Sequence, residues 1–508
     1  MYFLQRRRAS LCLAVLLTVL CFSLSSAVAE NRLIIGSTGE ATSLDPRFAP
    51  DAFSFKRLWT VFESLGKLSP SLQLEPSLAT GWDIAEDGLS IRFDLREGVQ
   101  FHHGRPFSAD DVRYTFEWIL DESNEARDRA RLSAITAIET PDDYTVIFFL
   151  DEVNSFVLER IAVTGIVPAD LAEEADFGDN PVGTGPFVFE SWQRDDRFVA
   201  RAFEDYWDGR AQLDVVEIRP IPEDGTRLLA LEAGEIHMYQ SNVTSSEVPR
   251  LEEDPNFVVS RTPGIGYEYL GMNNANPPLD NVLVRQAIAH LIPREAIVAQ
   301  ILDSIGTPGV SMVSPSLPWF NPDVIRFDYD PERARELLAE AGFEAGDISL
   351  RLYTDERSFH AQVAEILQAE LAQVGIEMSI NIEEFGAVLD RFSLTDDYDL
   401  MLFRWSGQTN PHDAMFRQFT SDGSWSQLVN YSNPRVDALL AQGPTVAPDS
   451  EASYEIYAEA QAIIVEEAPY AYIHYAEEIA VHRANVEGWQ AHPSPGATYS
   501  YLHRVQLR

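Results

Sequence analysis

The chain has 508 residues, with 38 lysines and arginines against 80 aspartates and glutamates, for a formal net charge of −42 at pH 7. Self-repulsion on that scale opposes compaction and argues against nucleic acid or anionic lipid as partners, because both are polyanions. Lysine is confined to Lys56 and Lys67 and cysteine to Cys12 and Cys21, so almost every cation is arginine and thiol chemistry has little to work with.

At the amino terminus, Arg6-Arg7-Arg8 precede an apolar run, Leu11–Leu24, and Ala27-Val28-Ala29 stand before Glu30. A basic start, an apolar middle and an A-x-A site form a secretory signal peptide over residues 1–29. The run is shorter than the roughly 20 residues of a membrane span, so cleavage is expected and not anchoring. Thr18-Val19-Leu20 before Cys21 lacks the small residues that lipid attachment needs. Export places the protein in the periplasm, away from ATP, NAD and acyl-CoA chemistry. Both cysteines leave with the leader, which excludes disulfides, iron–sulfur clusters, thiolate zinc sites and a cysteine nucleophile. A long apolar core must carry the stability, and the length suggests two or three lobes.

The rest reads as mixed α/β. Arg32–Gly36 is a buried strand. Ser90–Leu95 alternates apolar and polar residues as a half-exposed strand does, and Thr145–Leu150 and Leu213–Ile218 are further strands. Ser108 before Asp110 and Asp111 starts a helix whose apolar stripe is Val112, Phe116 and Ile119. Asp330-Pro331-Glu332 opens another, with Leu337 and Leu338 inward and Gly342 as its stop. Helices are also expected over His360–Val374 and Ser453–Glu467. No Pro/Ser-rich linker, internal repeat or low-complexity segment divides the chain, which suggests lobes built from interleaved segments. The turn-rich stretches Gly66–Ser71, Asn180–Gly185 and Asn274–Asp280 are the expected crossovers.

The sequence offers no catalytic constellation. It has neither a G-x-S-x-G elbow nor H-E-x-x-H. His102 and His103 are adjacent and point apart, so they read as turn histidines. Gly183-Thr184-Gly185-Pro186 lacks the Lys-Ser/Thr of a phosphate loop and reads as a tight turn between lobes. Asp110-Asp111 and Asp396-Asp397 are a helix start and a solvated loop. No catalytic residue, metal ligand or cofactor is expected. The more informative segment is Phe403–Pro411. There the buried strand Leu400–Phe403 gives way to a polar loop containing Trp405, Ser406, Gly407, Gln408, Thr409 and Asn410, a mixture suited to a small-molecule cleft.

Several ordered blocks carry a resemblance. They are Pro76–Trp82 with Asp87-Gly88, Leu95–Val112, Gly183–Phe187, Tyr206–Gly209, Ala230–Ile236, Val284–Ala287 and Tyr431–Asp437. Together they resemble the large solute-binding proteins of ABC importers, the family 5 class that includes dipeptide, oligopeptide and nickel receptors, and they span nearly the whole mature chain. The resemblance implies an α/β periplasmic-binding-protein type II fold: two α/β lobes around a cleft, plus a smaller lobe. Lobe I would comprise residues 30–66, 184–275 and 479–508, lobe II residues 67–183 and lobe III residues 276–478.

The implied function is capture of a small polar solute (a peptide, modified amino acid, opine or sugar derivative) by hinge closure. Delivery would be to an inner-membrane ABC permease complex by a monomer that performs no catalysis. Ligand contacts would come from Thr42, Ser43 and Leu44, from Tyr353 to Arg357, and from Arg404 through Asn410. Peptide receptors place an aspartate where this chain has Gln408. A neutral amide cannot give an ammonium the stronger, charge-assisted bond, so simple dipeptides are disfavoured, and Asp413 is spaced too far on to replace it. Arg404 would favour a carboxylate or phosphate if it enters the cleft, and would face away from the ligand if Trp405 faces it. Two other classes stay open. A secreted hydrolase on this scaffold would need a nucleophile–base pair that the sequence does not show. A signalling or chaperone-like binder would lack neighbouring permease and ATPase genes.

Overall fold

The computed structural model describes residues 30–508 apart from 49–51, 125, 127, 175, 241, 242, 244, 396, 449, 495 and 496. The leader read over residues 1–29 lies outside the described residues. The expected strands Ser90–Leu95 and Thr145–Leu150 form with those bounds, and the first strand runs Arg32–Ser37. The Leu213–Ile218 strand forms later, as Val215–Pro220. Asp214 is spent on a turn, where its carboxylate accepts from the Asn31 N–H at 2.9 Å and pairs with Arg210 at 2.7 Å, so the ladder begins at Arg32↔Val215.

The expected helices are present as Ala109–Leu120, Pro331–Glu340, Ser358–Gln373 and Glu451–Glu467. Asp330 caps its helix by accepting from Arg333 N–H at 2.9 Å, and the Asp111 carboxylate reaches back to the Ser108 N–H at 3.0 Å.

One eleven-stranded sheet runs through most of the molecule. Its middle is two long antiparallel strands, Phe257–Met272 and Tyr470–Arg483, paired from Phe257↔Arg483 to Gly271↔Tyr470. The Arg483 end pairs with Met238–Gln240, which lies beside Arg32–Ser37 and then Val215–Pro220, forming the first lobe. The Tyr470 end lies beside Leu400–Trp405, Ile348–Asp355 and Ile376–Glu383, forming the far lobe. Between them the register shifts from Pro263 to Tyr267. Gly264 sits in this crease, where a Cβ would lie 2.5 Å from Ala476 O, so only glycine allows the two backbones to approach.

A separate four-stranded sheet, including Ala79–Ile84 and Ser90–Leu95, and the Ala109–Leu120 helix make a small lobe. Its own core includes Phe93, Phe101, Phe116 and Phe148. Burying each such ring contributes about 1.5–3 kcal/mol to this lobe. His102 ties the turn at Gly183 to this lobe. It accepts from Gly183 N–H at 3.3 Å and contacts Gly185 O at 2.9 Å, and burial pushes it down to about 4.

Candidate functional site

The parallel strands of the first and far lobes point their carboxyl ends toward one another, the usual place for a ligand crevice in an open α/β sheet. There a cavity of about 600 Å³ opens. Pro222, Glu223 and Asp224 of the first lobe form one wall. Glu268, Arg357–His360 and Arg404 of the far lobe form another, and His474–Glu478 of the long strand close the base.

The far wall is a chain of alternating charge. Asp355 ends its strand, and Arg357 folds back on it with Nε 3.0 Å from each carboxylate oxygen and Nη2 at 2.5 Å. The next helix turn delivers His360, fully buried, with Nδ1 2.9 Å from Asp355 Oδ1 and Nε2 2.8 Å from Glu268 Oε2. An imidazole with carboxylates on both nitrogens is held as imidazolium. Burial alone would lower His360, but the Asp355 and Glu268 bonds override it and raise its pKa. Burial would likewise raise Asp355 and Glu268, and their partners hold both below the usual carboxylate range.

Glu268 stands opposite Arg404 in the strand ladder. Arg404 contacts Glu268 at 3.9 Å and Glu478 at 3.6 Å, too long for hydrogen bonds, so its fork keeps donors for a third group. His474 is pushed down to about 4 by burial, and among the described residues nothing bonds its Nδ1. Phe359 packs edge-on against it with ring centres 4.9 Å apart.

The residues singled out from the sequence divide between two faces. Arg357 and Arg404 line the cavity. Trp405 does not belong to a loop. The strand extends to Leu400–Trp405 because Trp405 pairs with Tyr267, and this turns the indole to the opposite sheet face. It is 8% exposed there and meets Trp425 edge-on at 5.2 Å. Tyr353 shares that core cluster, with the Arg391 guanidinium 4.2 Å above its ring. Leu44 is buried in the first-lobe core. Thr42 is exposed with its N–H given to Ser54 Oγ, and the Ser43 hydroxyl accepts from Asp45 N–H.

In the loop, Ser406 is exposed and Gln408 half-buried, and among the described residues the Gln408 amide meets no hydrogen-bond partner. Gly407 (φ 81°) turns so tightly that a Cβ would lie 2.2 Å from Ile265 O. Asn410 is spent as a helix cap, accepting from Asp413 N–H at 2.8 Å. The loop also touches the small lobe. Thr409 donates to Glu159 at 2.5 Å, and Asp413 pairs with Arg160 at 2.5 Å. Asp413 is therefore committed elsewhere and does not stand in for Gln408.

Sequence reading missed Glu268, His360, His474 and Glu478, and took in Asp355 only as part of the stretch from Tyr353 to Arg357. The signal was present in two strands, where Glu268 interrupts Tyr267–Leu270 and His474 and Glu478 interrupt Tyr470–Ile479. Charged groups inside otherwise apolar strands are rarely buried without partners or a role.

The family model described as "Bacterial extracellular solute-binding proteins, family 5 Middle" matches residues 73–427. The oligopeptide-binding protein AppA of Bacillus subtilis (strain 168) is 28% identical over 91% of this chain and 89% of that protein. The glutathione-binding protein GsiB of Escherichia coli O1:K1 / APEC is 29% identical over 94% of this chain and 95% of its own length. The periplasmic binding protein DppA from Helicobacter pylori, solved with the peptide STSA, superposes with a TM-score of 0.81 at 29% identity, covering 94% of this chain and 98% of that one. Two facing α/β lobes, a crease in the shared sheet and a family match across most of its length establish that this chain belongs to the bacterial extracellular solute-binding proteins, family 5.

Proposed function

We propose that the chain is the periplasmic receptor of an ABC importer. It takes a small, polar, peptide-like solute into the interlobe cavity and hands it, chemically unaltered, to an inner-membrane permease. The observation that carries this reading is the cavity itself: one space of about 600 Å³ walled by both lobes at the crease of their common sheet. Arg404 offers unsatisfied donors to a carboxylate there, and Glu223, Asp224 and Glu477 offer acceptors to cationic or hydroxyl groups. The named binding partners of the relatives, oligopeptides and glutathione, are peptide-like. Gln408, with Ser406 and the Gly407 backbone, provides neutral polar contacts, while Thr42 and Ser43 meet the solute from the first lobe. Residues 30–66, 184–275 and 479–508 move as one unit against 276–478, and the protein acts as a monomer.

The test is calorimetry on refolded, solute-free protein against a panel of peptides of two to five residues, glutathione and opines, with X-ray scattering in parallel. At least one compound binds and shrinks the radius of gyration. Turnover of a bound compound, or scattering that no compound changes, overturns the reading.

A further inference from the structure

Three cavity side chains stand in one row across the central sheet. Arg404 is opposite Glu268 in one ladder, Glu268 is opposite His474 in the next, and all three line the cavity. Neighbouring strands lie about 4.8 Å apart, so roughly 10 Å of backbone separates the two ends of the row. The middle is spent, because Glu268 accepts from the His360 Nε2–H at 2.8 Å. The Arg404 end keeps donors for a third group. The His474 end is open as well. Beyond it in the sheet stands Pro308, whose side chain has nothing polar to offer, and Phe359 packs edge-on against the ring.

His474 is 4% exposed, and neither of its ring nitrogens bonds a described residue. Nδ1 is enclosed, which leaves Nε2 as the nitrogen that faces the cavity lined by the ring. A proton on Nδ1 would be a buried donor without an acceptor, the rarer kind of orphan, so the neutral ring carries its proton on Nε2 and donates into the cavity. Burial keeps the ring neutral by pushing it down to about 4. Glu268 directly opposite and Glu478, four residues along the strand, repel a second anion at this end, and a neutral imidazole does not compensate. What fits is an uncharged acceptor. We infer that His474 is a specificity-determining residue, donating from Nε2–H to an uncharged carbonyl oxygen of the solute while Arg404 holds the solute's carboxylate. The last unit of a peptide with a free carboxyl terminus carries that pair: a carboxylate, and an amide carbonyl one N–Cα step before it. The inference rests on the receptor reading above and narrows it to solutes with such an end.

The probes are the tightest-binding tripeptide of the calorimetric panel and two analogues altered at its last peptide bond. An E-alkene there keeps the shape and the carboxylate but removes the carbonyl, and an ester keeps the carbonyl but removes the N–H. Wild type binds peptide and ester within a few-fold of one another and the alkene at least tenfold more weakly, because a site built to hydrogen-bond a group rejects the analogue lacking it. His474→Gln, which keeps a neutral donor, keeps that preference, and His474→Leu loses it. In protein labelled with ¹⁵N at histidine, the His474 Nε2–H signal, assigned by its loss in the glutamine variant, moves downfield with the peptide and not with the alkene. This readout uses wild type, so it stands even where the leucine variant fails to fold. A His474 signal that stays still while the peptide binds, or a leucine variant that keeps the preference, overturns the inference and leaves the receptor reading standing. Binding by other panel compounds but by no tripeptide does the same. If nothing in the panel binds wild type, both fall together.

Discussion

Arg160 of the small lobe and Asp413 of the far lobe stand 2.5 Å apart, joining two lobes that the central sheet does not connect. Both side chains are about one-fifth exposed, so the pair is largely desolvated and removing one partner strands the other. Burial would raise Asp413, and Arg160 holds it below the usual carboxylate range. Thr409 and Glu159 make a second contact beside it.

Asp413→Asn is expected to open the mouth between the lobes. The radius of gyration of the solute-free protein rises, measured by scattering, and stability falls by about 1–3 kcal/mol in urea unfolding. Arg160→Met with Asp413→Leu restores most of the stability. A single variant with wild-type scattering and wild-type stability would show that the pair holds nothing shut.

The His360 imidazolium makes stability depend on pH in a defined direction. Its folded pKa is raised, so its contribution is complete below the unfolded value of about 6.5 and fades as pH rises through the folded value. Asp355 and Glu268 are lowered, so their contribution is present above about 4.5 and fades in acid. The difference in melting temperature between wild type and His360→Asn is therefore largest between about pH 4.5 and 6.5 and narrows toward pH 9. A difference that is constant over this range contradicts a charged His360.

Gln408→Asp places a carboxylate on the half-buried amide position. A dipeptide ammonium gains a charge-assisted bond, and dipeptide affinity rises by about tenfold or more, as roughly 1.5–3 kcal/mol requires. Wild type binds the same dipeptides weakly or not at all in calorimetry. Tight wild-type binding would show that Gln408 is not the discriminating group.

Gly407→Ala is expected to displace the binding loop, because φ is 81° and the new Cβ would sit 2.2 Å from Ile265 O. Stability falls by about 1–3 kcal/mol and solute affinity falls with it. Gly81→Ala, where a Cβ would meet nothing within 4 Å, serves as the control. Equal behaviour of the two variants would remove the steric argument.

Much of the architecture was legible from local chemistry. The capping of Pro331–Glu340 by Asp330 and the alternation of Ser90–Leu95 are short-range signals, and both elements formed where expected. The errors came from pairing partners far away in sequence. Trp405 looked like a loop residue until Tyr267, far upstream, extended its strand and turned the indole into the core. Asn410 looked available for ligand, yet its side chain caps a helix terminus, and Asp413, already set aside by its spacing, is held by Arg160. His360 stood in the sequence only as the first residue of an expected helix. Its role depends on Glu268 and Asp355, and no local pattern announces that meeting.

The interrupted ladder between Pro263 and Tyr267 has a mechanical consequence. Rotation about that line leaves the paired stretches on either side intact, so swinging the halves apart sacrifices little backbone enthalpy. The resting posture is then decided elsewhere, by a few rim contacts and by whatever cargo lies inside. A protein balanced in this way can report occupancy through its shape with only a small expenditure of binding energy, leaving most of the affinity to distinguish one cargo from another.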